Sequence, residues 1–196
     1  MNHLRGVHLE NKELSMTSTT STGSMRTIPA GSWYVNQAAS EVFVHLRTAW
    51  GMRRLRVRFD RFSGTLRVRQ DGDASGALTV EAGSVCTGGT HSAAVARSRD
   101  FLGVTTHPLV TVAITATASG PEGLTLIGTL AVKDSILAVC VAADAVIDAR
   151  ERLRMVSAMD LDLPSMGMSR NPLGHLRRDA RLVLDLVLER EGAQTS

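Results

Sequence analysis

A chain of 196 residues, 43% apolar and 21% charged, is long enough for one domain with a real core and too apolar to be disordered throughout. Its net charge of +3 does not single out nucleic acid, and the basic side is almost all arginine, with Lys12 and Lys133 the only lysines. No apolar run reaches the roughly 18 residues of a membrane-spanning helix, and the amino-terminal stretch lacks the apolar centre of a signal peptide, so the cytoplasm is the expected setting.

Residues 1–24 are mostly polar, and Thr17 to Ser24 are almost purely Ser, Thr and Gly. Such a segment buries too little apolar surface to offset its ordering entropy. A disordered tail is therefore expected over 1–26, followed by one domain over 27–192. Beyond Pro29 the pattern turns to alternation, the mark of half-buried strands. Val42, Val44 and Leu46 share one face. Leu55, Val57 and Phe59 alternate with Arg54, Arg56 and Arg58, and Leu66 and Val68 with Arg67 and Arg69. Leu78 and Val80 make a shorter run. Residues 90–102 break the rule: they are Ala-rich, lack alternation and suit one short helix, with Val95, Phe101 and Leu102 placed to cover a barrel end. Alternation resumes with Val110, Val112 and Ile114. It continues through Leu124, Leu126, Leu130 and Val132, with Gly128 in register, and through Leu137, Val139 and Val141. Leu153, Met155, Met159, Leu161 and Leu163 keep one parity, and Leu182, Leu184, Leu186 and Leu188 close the series. Turn signals separate the runs at Asp71-Gly72-Asp73, Ser119-Gly120-Pro121 and Lys133-Asp134-Ser135. Gly167 to Arg178 reads as a loop, either a plain connection or a flap at a barrel mouth. Strands at this spacing predict an all-β fold, an antiparallel barrel or sandwich of eight or nine strands with one short helix.

Several stretches also resemble a known family. Trp33 in the opening IPAGSWYVN, the run FDRFSGTLRV from Phe59 to Val68, and the pair Gly128-Thr129-Leu130 resemble features of the YceI-like family. The longest likeness runs from Ala82 to Pro108. There Ser84, Thr87, Gly88, Arg97, Ser98, Asp100, Phe101, Val104 and Pro108 fall in step with an A-x-S-x-x-T-G start and an R-S-x-D-F-F-D-V-x-x-x-P end. Departures occur at Ala39 and Ser40, where the family often has His-Ser. Ser92, Ala93, Val95 and Ala96 stand where an R-D-x-H-L stretch usually opens the helix. Leu163 and Ser165-Met166-Gly167 stand where an Arg usually precedes D-F-G. These departures remove polar anchors and keep apolar ones. The resemblance implies an antiparallel lipocalin-like β-barrel of about eight strands, elongated inside, that binds a polyisoprenoid, an isoprenoid quinone or a similar lipid.

The residues themselves show many inward aliphatic positions. Aromatic content is only 4%, so any cavity is lined mainly by Leu, Val, Ile and Met. The candidate ligand contacts are Val42, Val44, Leu46, Leu55, Val57, Leu66, Phe101, Val112, Ile114, Leu126, Leu130, Val139, Met155, Met159, Leu184 and Leu186. The same ladder also reads as a filled core. Met155, Met159, Met166 and Met168 crowd one region, where adaptable thioethers suit either a pocket or a core gap. Arg53, Arg54, Arg56, Arg58, Arg61, Arg67 and Arg69 form a basic band. It reads as a solvated outer face, or as a contact for a pyrophosphate head, a membrane surface or a nucleic acid. The aromatics interleaved with it are too few to stack single-stranded nucleic acid, so no nucleic-acid partner is expected. The six histidines lack metal spacing, and no catalytic or cofactor motif is present, so no enzyme activity, metal or cofactor is expected. Cys86 and Cys140 read as reduced, buried structural thiols. The leading reading is a carrier of a long apolar ligand. The alternatives are an enzyme acting on a small apolar substrate in the barrel, and a filled barrel that meets partners through its arginine face. A homodimer and transient membrane contact accompany the carrier reading.

Overall fold

Side chains that alternate along a strand send one set to each face of a sheet, and in the computed structural model this alternation closes the chain on itself. The structure describes residues 28–48, 54–120, 123–168 and 176–192. The expected tail over 1–26 lies outside them, as do residues 169–175 of the loop after Gly167. The strands are β1 (Gly31–Val35), β2 (Glu41–Thr48), β3 (Arg54–Phe59), β4 (Phe62–Val68), β5 (Ala74–Glu81) and β6 (Val85–Cys86). After the helix α1 (Thr90–Arg97) come β7 (Leu109–Gly120), β8 (Gly123–Val132), β9 (Ser135–Ile147), β10 (Leu153–Asp162) and β11 (Leu176–Arg190).

These segments occupy eight positions around a closed antiparallel barrel. β1 and β2 are two halves of one strand: β11 pairs with β2 from Leu176↔Thr48 to Asp185↔Glu41 and with β1 from Val35↔Leu188 to Trp33↔Arg190. In the same way β3 and β4 pair with β2 and β1, and β6 and β5 pair with β3 and β4. The ring then runs β5-β7-β8-β9-β10-β11 and closes on β1. The antiparallel lipocalin-like barrel expected from the sequence is thus the observed fold, and the one α-helix among the described residues falls inside the stretch 90–102.

The three broken strands break side by side. A 3-10 turn at Gln37–Ala39 separates β1 from β2, Asp60 and Arg61 separate β3 from β4, and a 3-10 turn at Ala82–Ser84 separates β5 from β6. Hydrogen bonds outside the regular ladder hold the chain at these breaks. The Ser40 hydroxyl donates to the Asn36 carbonyl at 2.7 Å and accepts from Val187 N at 2.9 Å. The Ser84 hydroxyl donates to the Glu81 carbonyl at 2.7 Å, and Asp60 N and Glu81 N donate to the carbonyls of Ser84 and Arg61. Both serines are buried, and a buried hydroxyl needs such partners.

The helix is tied to this crease by Arg97, whose guanidinium donates to the carbonyls of Gly83 at 3.1 Å and Val85 at 2.8 Å. The loop behind it turns at Gly103, whose φ of +59° favours glycine, and brings Phe101 and Leu102 down over one end of the barrel. On the other side Gly128 faces a bulge in β7 between Ile114 and Ala116. A Cβ on Gly128 would run into the Ala113 carbonyl, so the two backbones approach there as only glycine allows.

Candidate ligand-binding site

The inward faces of the strands form a continuous apolar core that includes Val42, Leu46, Val57, Leu66, Val112, Leu126, Leu130, Leu153, Met155, Met159 and the alternate leucines of β11 from Leu182 to Leu188. Two cavities lie within it, one toward each end. The first is walled by Val42, Val44 and Leu46 of β2, Val57 and Phe59 of β3, Val80 of β5, and Val110 and Val112 of β7. Leu130 and Val132 of β8, Leu161 of β10 and Leu182 and Leu184 of β11 complete the wall, and Phe101, Leu102, Leu163, Met166 and Met168 close the end. It holds about 680 Å³ of atom-free space, its opening included, of which only about 60 Å³ seats a water-sized group. Every lining residue is apolar. The second cavity holds about 570 Å³ on the same measure and seats about 50 Å³. It is lined by Val35, Leu66, Leu78, Val112, Ile114, Leu126, Val141, Met155, Met159, Leu184, Leu186 and Leu188, with Thr65, Gly76, Ala77 and Ser157. Val112 and Leu184 line both cavities, so they form the waist between two slender chambers set end to end.

Of the sixteen expected contacts, Val42, Val44, Leu46, Val57, Phe101 and Leu130 line the first chamber. Leu66, Ile114, Leu126, Met155, Met159 and Leu186 line the second, and Val112 and Leu184 both. Leu55 lies instead in a small recess against Val95, Ala96 and Phe101, covered by α1. Val139 faces a groove between β9 and β10. Among lining residues not expected as contacts, Phe59, Val80, Val132, Val141, Leu161, Leu182 and Leu188 carry the same inward parity and were legible in it. Ser157 has the parity of Met155 and Met159 but a polar side chain. It is 5% exposed, and no protein group among the described residues bonds its hydroxyl, which therefore opens onto the second chamber. At Gly76 a Cβ would strike the Thr65 carbonyl, so the bare backbone forms the wall.

The outer face has a different character. Arg56 pairs with Glu41 at 2.8 Å, Arg58 with Asp60 at 2.9 Å, Arg61 with Glu81 at 2.6 Å, and Arg69 with Asp71 and Asp73. Arg56 also lies over the Phe43 ring at 3.9 Å. Much of the arginine band is thus neutralised by carboxylates of the chain itself. Arg53 lies outside the described residues. Groups whose protonation is displaced also lie away from the chambers. Hydrogen bonds from Thr117 hold the Asp73 carboxyl below its usual range, and those from Arg152 do the same for Asp148. The Arg154 guanidinium, donating at 2.9 and 2.7 Å, lowers Asp185, and Glu191 raises the Tyr34 hydroxyl. Neither cavity is lined by any of them.

One expectation needs correction. Cys86 and Cys140 are free thiols but are exposed, because each occupies an outward position of its strand.

A family model for the YceI-like domain matches residues 33–185. No curated protein matches the chain. Among solved structures, the chain is similar to Burkholderia cenocepacia BcnA, with a TM-score of 0.70 and 16% identity over 78% of this chain and 98% of that one. It is similar to a polyisoprenoid binding domain from Saccharophagus degradans implicated in plant cell wall breakdown, with a TM-score of 0.66 and 15% identity over 81% and 98%. The Campylobacter jejuni YCEI protein gives 0.59 and 14% over 69% and 85%. At such identities the structural likeness is one of fold.

Proposed function

The chain belongs to the YceI-like family, and from that premise we propose that it carries one long apolar ligand, a polyisoprenoid or isoprenoid quinone, inside its barrel. The observation that carries this reading is the pair of apolar chambers joined at Val112 and Leu184. Their elongated arrangement fits a chain rather than a compact ring system. Each buried CH₂ contributes about 0.8 kcal/mol, so a long chain binds without a polar anchor, and polar groups set its orientation. Ser157 supplies one such group, which supports a ligand with a neutral oxygen rather than a pure hydrocarbon. The chambers are narrow, so loading requires side chains to move. Met155 and Met159 in one chamber and Met166 and Met168 in the other supply adaptable walls.

Binding rather than catalysis is supported by the lining of both chambers, in which no titratable side chain stands among the described residues. A filled barrel acting through its arginines is disfavoured by the carboxylates that already pair Arg56, Arg58, Arg61 and Arg69. Two exposed free thiols suit a reducing compartment, which supports a cytoplasmic setting. Exposed Leu109, Ile127 and Ile136, the last 74% exposed, stand on one uncharged stretch of the outer face of β7–β9. They support transient membrane contact or pairing with a second copy, which vesicle co-sedimentation and light scattering distinguish.

The deciding experiment is native mass spectrometry of the purified chain followed by solvent extraction. A co-purified isoprenoid or quinone is expected. A chain that carries none, and takes up no fluorescent isoprenoid, is a structural barrel.

A further inference from the structure

We propose that the seam between β9 and β10 is a lateral portal through which the apolar ligand enters and leaves. This rests on the carrier reading above and adds the route.

The ladder between these strands runs only from Leu153↔Ile147 to Ser157↔Ala143. Continued in the same antiparallel register, it would set Met159 opposite Val141 and Asp160 opposite Cys140. Those pairs do not form. An open groove with about 930 Å³ of atom-free space, its opening included, lies there instead, with Leu137 to Ala142 on one bank, Ala158 to Asp162 on the other and Ser165 at its foot. The strands themselves are not frayed. β9 stays paired with β8 from Leu124↔Ala143 to Val132↔Ser135, and β10 stays paired with β11 as far as Asp162↔Asp179. Two well-held strands have parted from each other alone. Closed barrels remove sheet edges, so an edge kept on both banks of one seam marks a place where the wall can open.

The groove meets both chambers. Val141 and Met159 line the groove and the second chamber, and Leu161 lines the groove and the first. These three side chains, a flexible methionine among them, stand between the groove and the two chambers. A long ligand admitted sideways reaches both chambers without threading the Val112–Leu184 waist. Among the described residues, the end of the first chamber is capped by side chains. Phe101, Leu102, Met166 and Met168 are buried across it. Lys133 Nζ clasps two segments of this cap, donating to the Arg99 carbonyl at 3.3 Å and to the Gly167 carbonyl at 2.9 Å. At the groove, Asp160 pairs with Arg181 and Asp162 with Arg178. The rim is balanced in charge, which suits a neutral head better than a phosphorylated one.

The register supplies the test. Asp160→Cys in a Cys86→Ser background places a second thiol across from native Cys140, both on the outward face. Uptake and release of an anthraniloyl ester of geranylgeraniol are followed by stopped-flow fluorescence on the full chain. Oxidation to the disulfide, verified by intact mass, is expected to slow both rates at least about tenfold, and reductant to restore them. Lys133→Ala, which loosens the end cap, is expected to leave the rates unchanged. Should the thiols fail to join, a bulky maleimide on Cys140 in the Cys86→Ser protein reads the same question, and slowing is again expected. Unchanged rates with the seam stapled or blocked, or faster exchange in Lys133→Ala, overturn the portal alone. An unmodified chain that never binds the probe overturns the carrier reading and takes the portal with it.

Discussion

Val112 and Leu184 wall both chambers, so a bulkier side chain at either position narrows the passage between them. In a filled core, Val112→Phe or Leu184→Phe would overpack and cost about 1–3 kcal/mol each. Here the added rings have two voids to enter. The double variant is expected to keep its denaturation midpoint close to that of the parent and to lose retention of a fluorescent isoprenoid. A large fall in the midpoint would mean that the chambers are closed packing. These two positions were legible in the sequence because strand parity assigns a face to each residue. Their place at the waist was not, since it depends on which strands face each other across the barrel. Leu55 shows the same limit. Its parity is inward, but α1 covers it, and nothing in its own strand announces the helix. The outward cysteines erred differently: a preference of a residue type was set against parity, and parity decided.

The strands and the turns between them bring in electrostatics. Asp73, in the turn between β4 and β5, accepts from Thr117 N at 3.0 Å and from the Thr117 hydroxyl at 3.3 Å, and so ties that turn to β7. Asp148 closes the turn between β9 and β10, accepting from Arg150 N at 2.8 Å and Arg152 N at 2.9 Å. The Arg154–Asp185 pair joins β10 to β11. All three carboxyls are held below their ordinary range. A lowered folded value means that the folded form binds fewer protons than the unfolded one. The stabilisation is present above the unfolded value of about 3.9 and is lost as pH falls through the lower folded values. The melting temperature is therefore expected to drop as acid is added below about pH 4. Asp73→Asn is expected to lower the neutral-pH melting temperature and to flatten that acid drop. A variant with the parent's full pH dependence would show that the Thr117 contacts contribute nothing. Most strands and their faces could be read from alternation, whereas the β7 bulge, the breaks in the first three strands and the seam could not. Those features are set by pairing between distant segments, and a run of residues does not disclose where its neighbour stops bonding to it.

At the scale of the whole molecule, a ligand that binds only the folded barrel raises its stability by mass action, by about 2.7 kcal/mol at a hundredfold excess over Kd. The melting temperature of delipidated protein is thus expected to rise steadily with added isoprenoid analogue and to stay fixed with a water-soluble fragment of the same head group. An equal rise with both would place binding outside the chambers. The sequence carried the closed barrel and its apolar interior because both follow from parity repeated around a ring. It did not carry the division of that interior, which follows from how far side chains reach across it. The crease adds a mechanical consequence. Gln37–Ala39, Asp60–Arg61 and Ala82–Ser84 lie in one line across three neighbouring strands, like a score pressed into card. Curvature concentrated on such a line lets the panel of β2, β3 and β6 tilt against the panel of β1, β4 and β5 while the hydrogen bonds within each panel keep their lengths. A guest that swells the bore is expected to change the angle at this fold line, with Ser40 and Ser84 as its pins and the unbroken β11, bonded to both β1 and β2, as the strip that joins the panels.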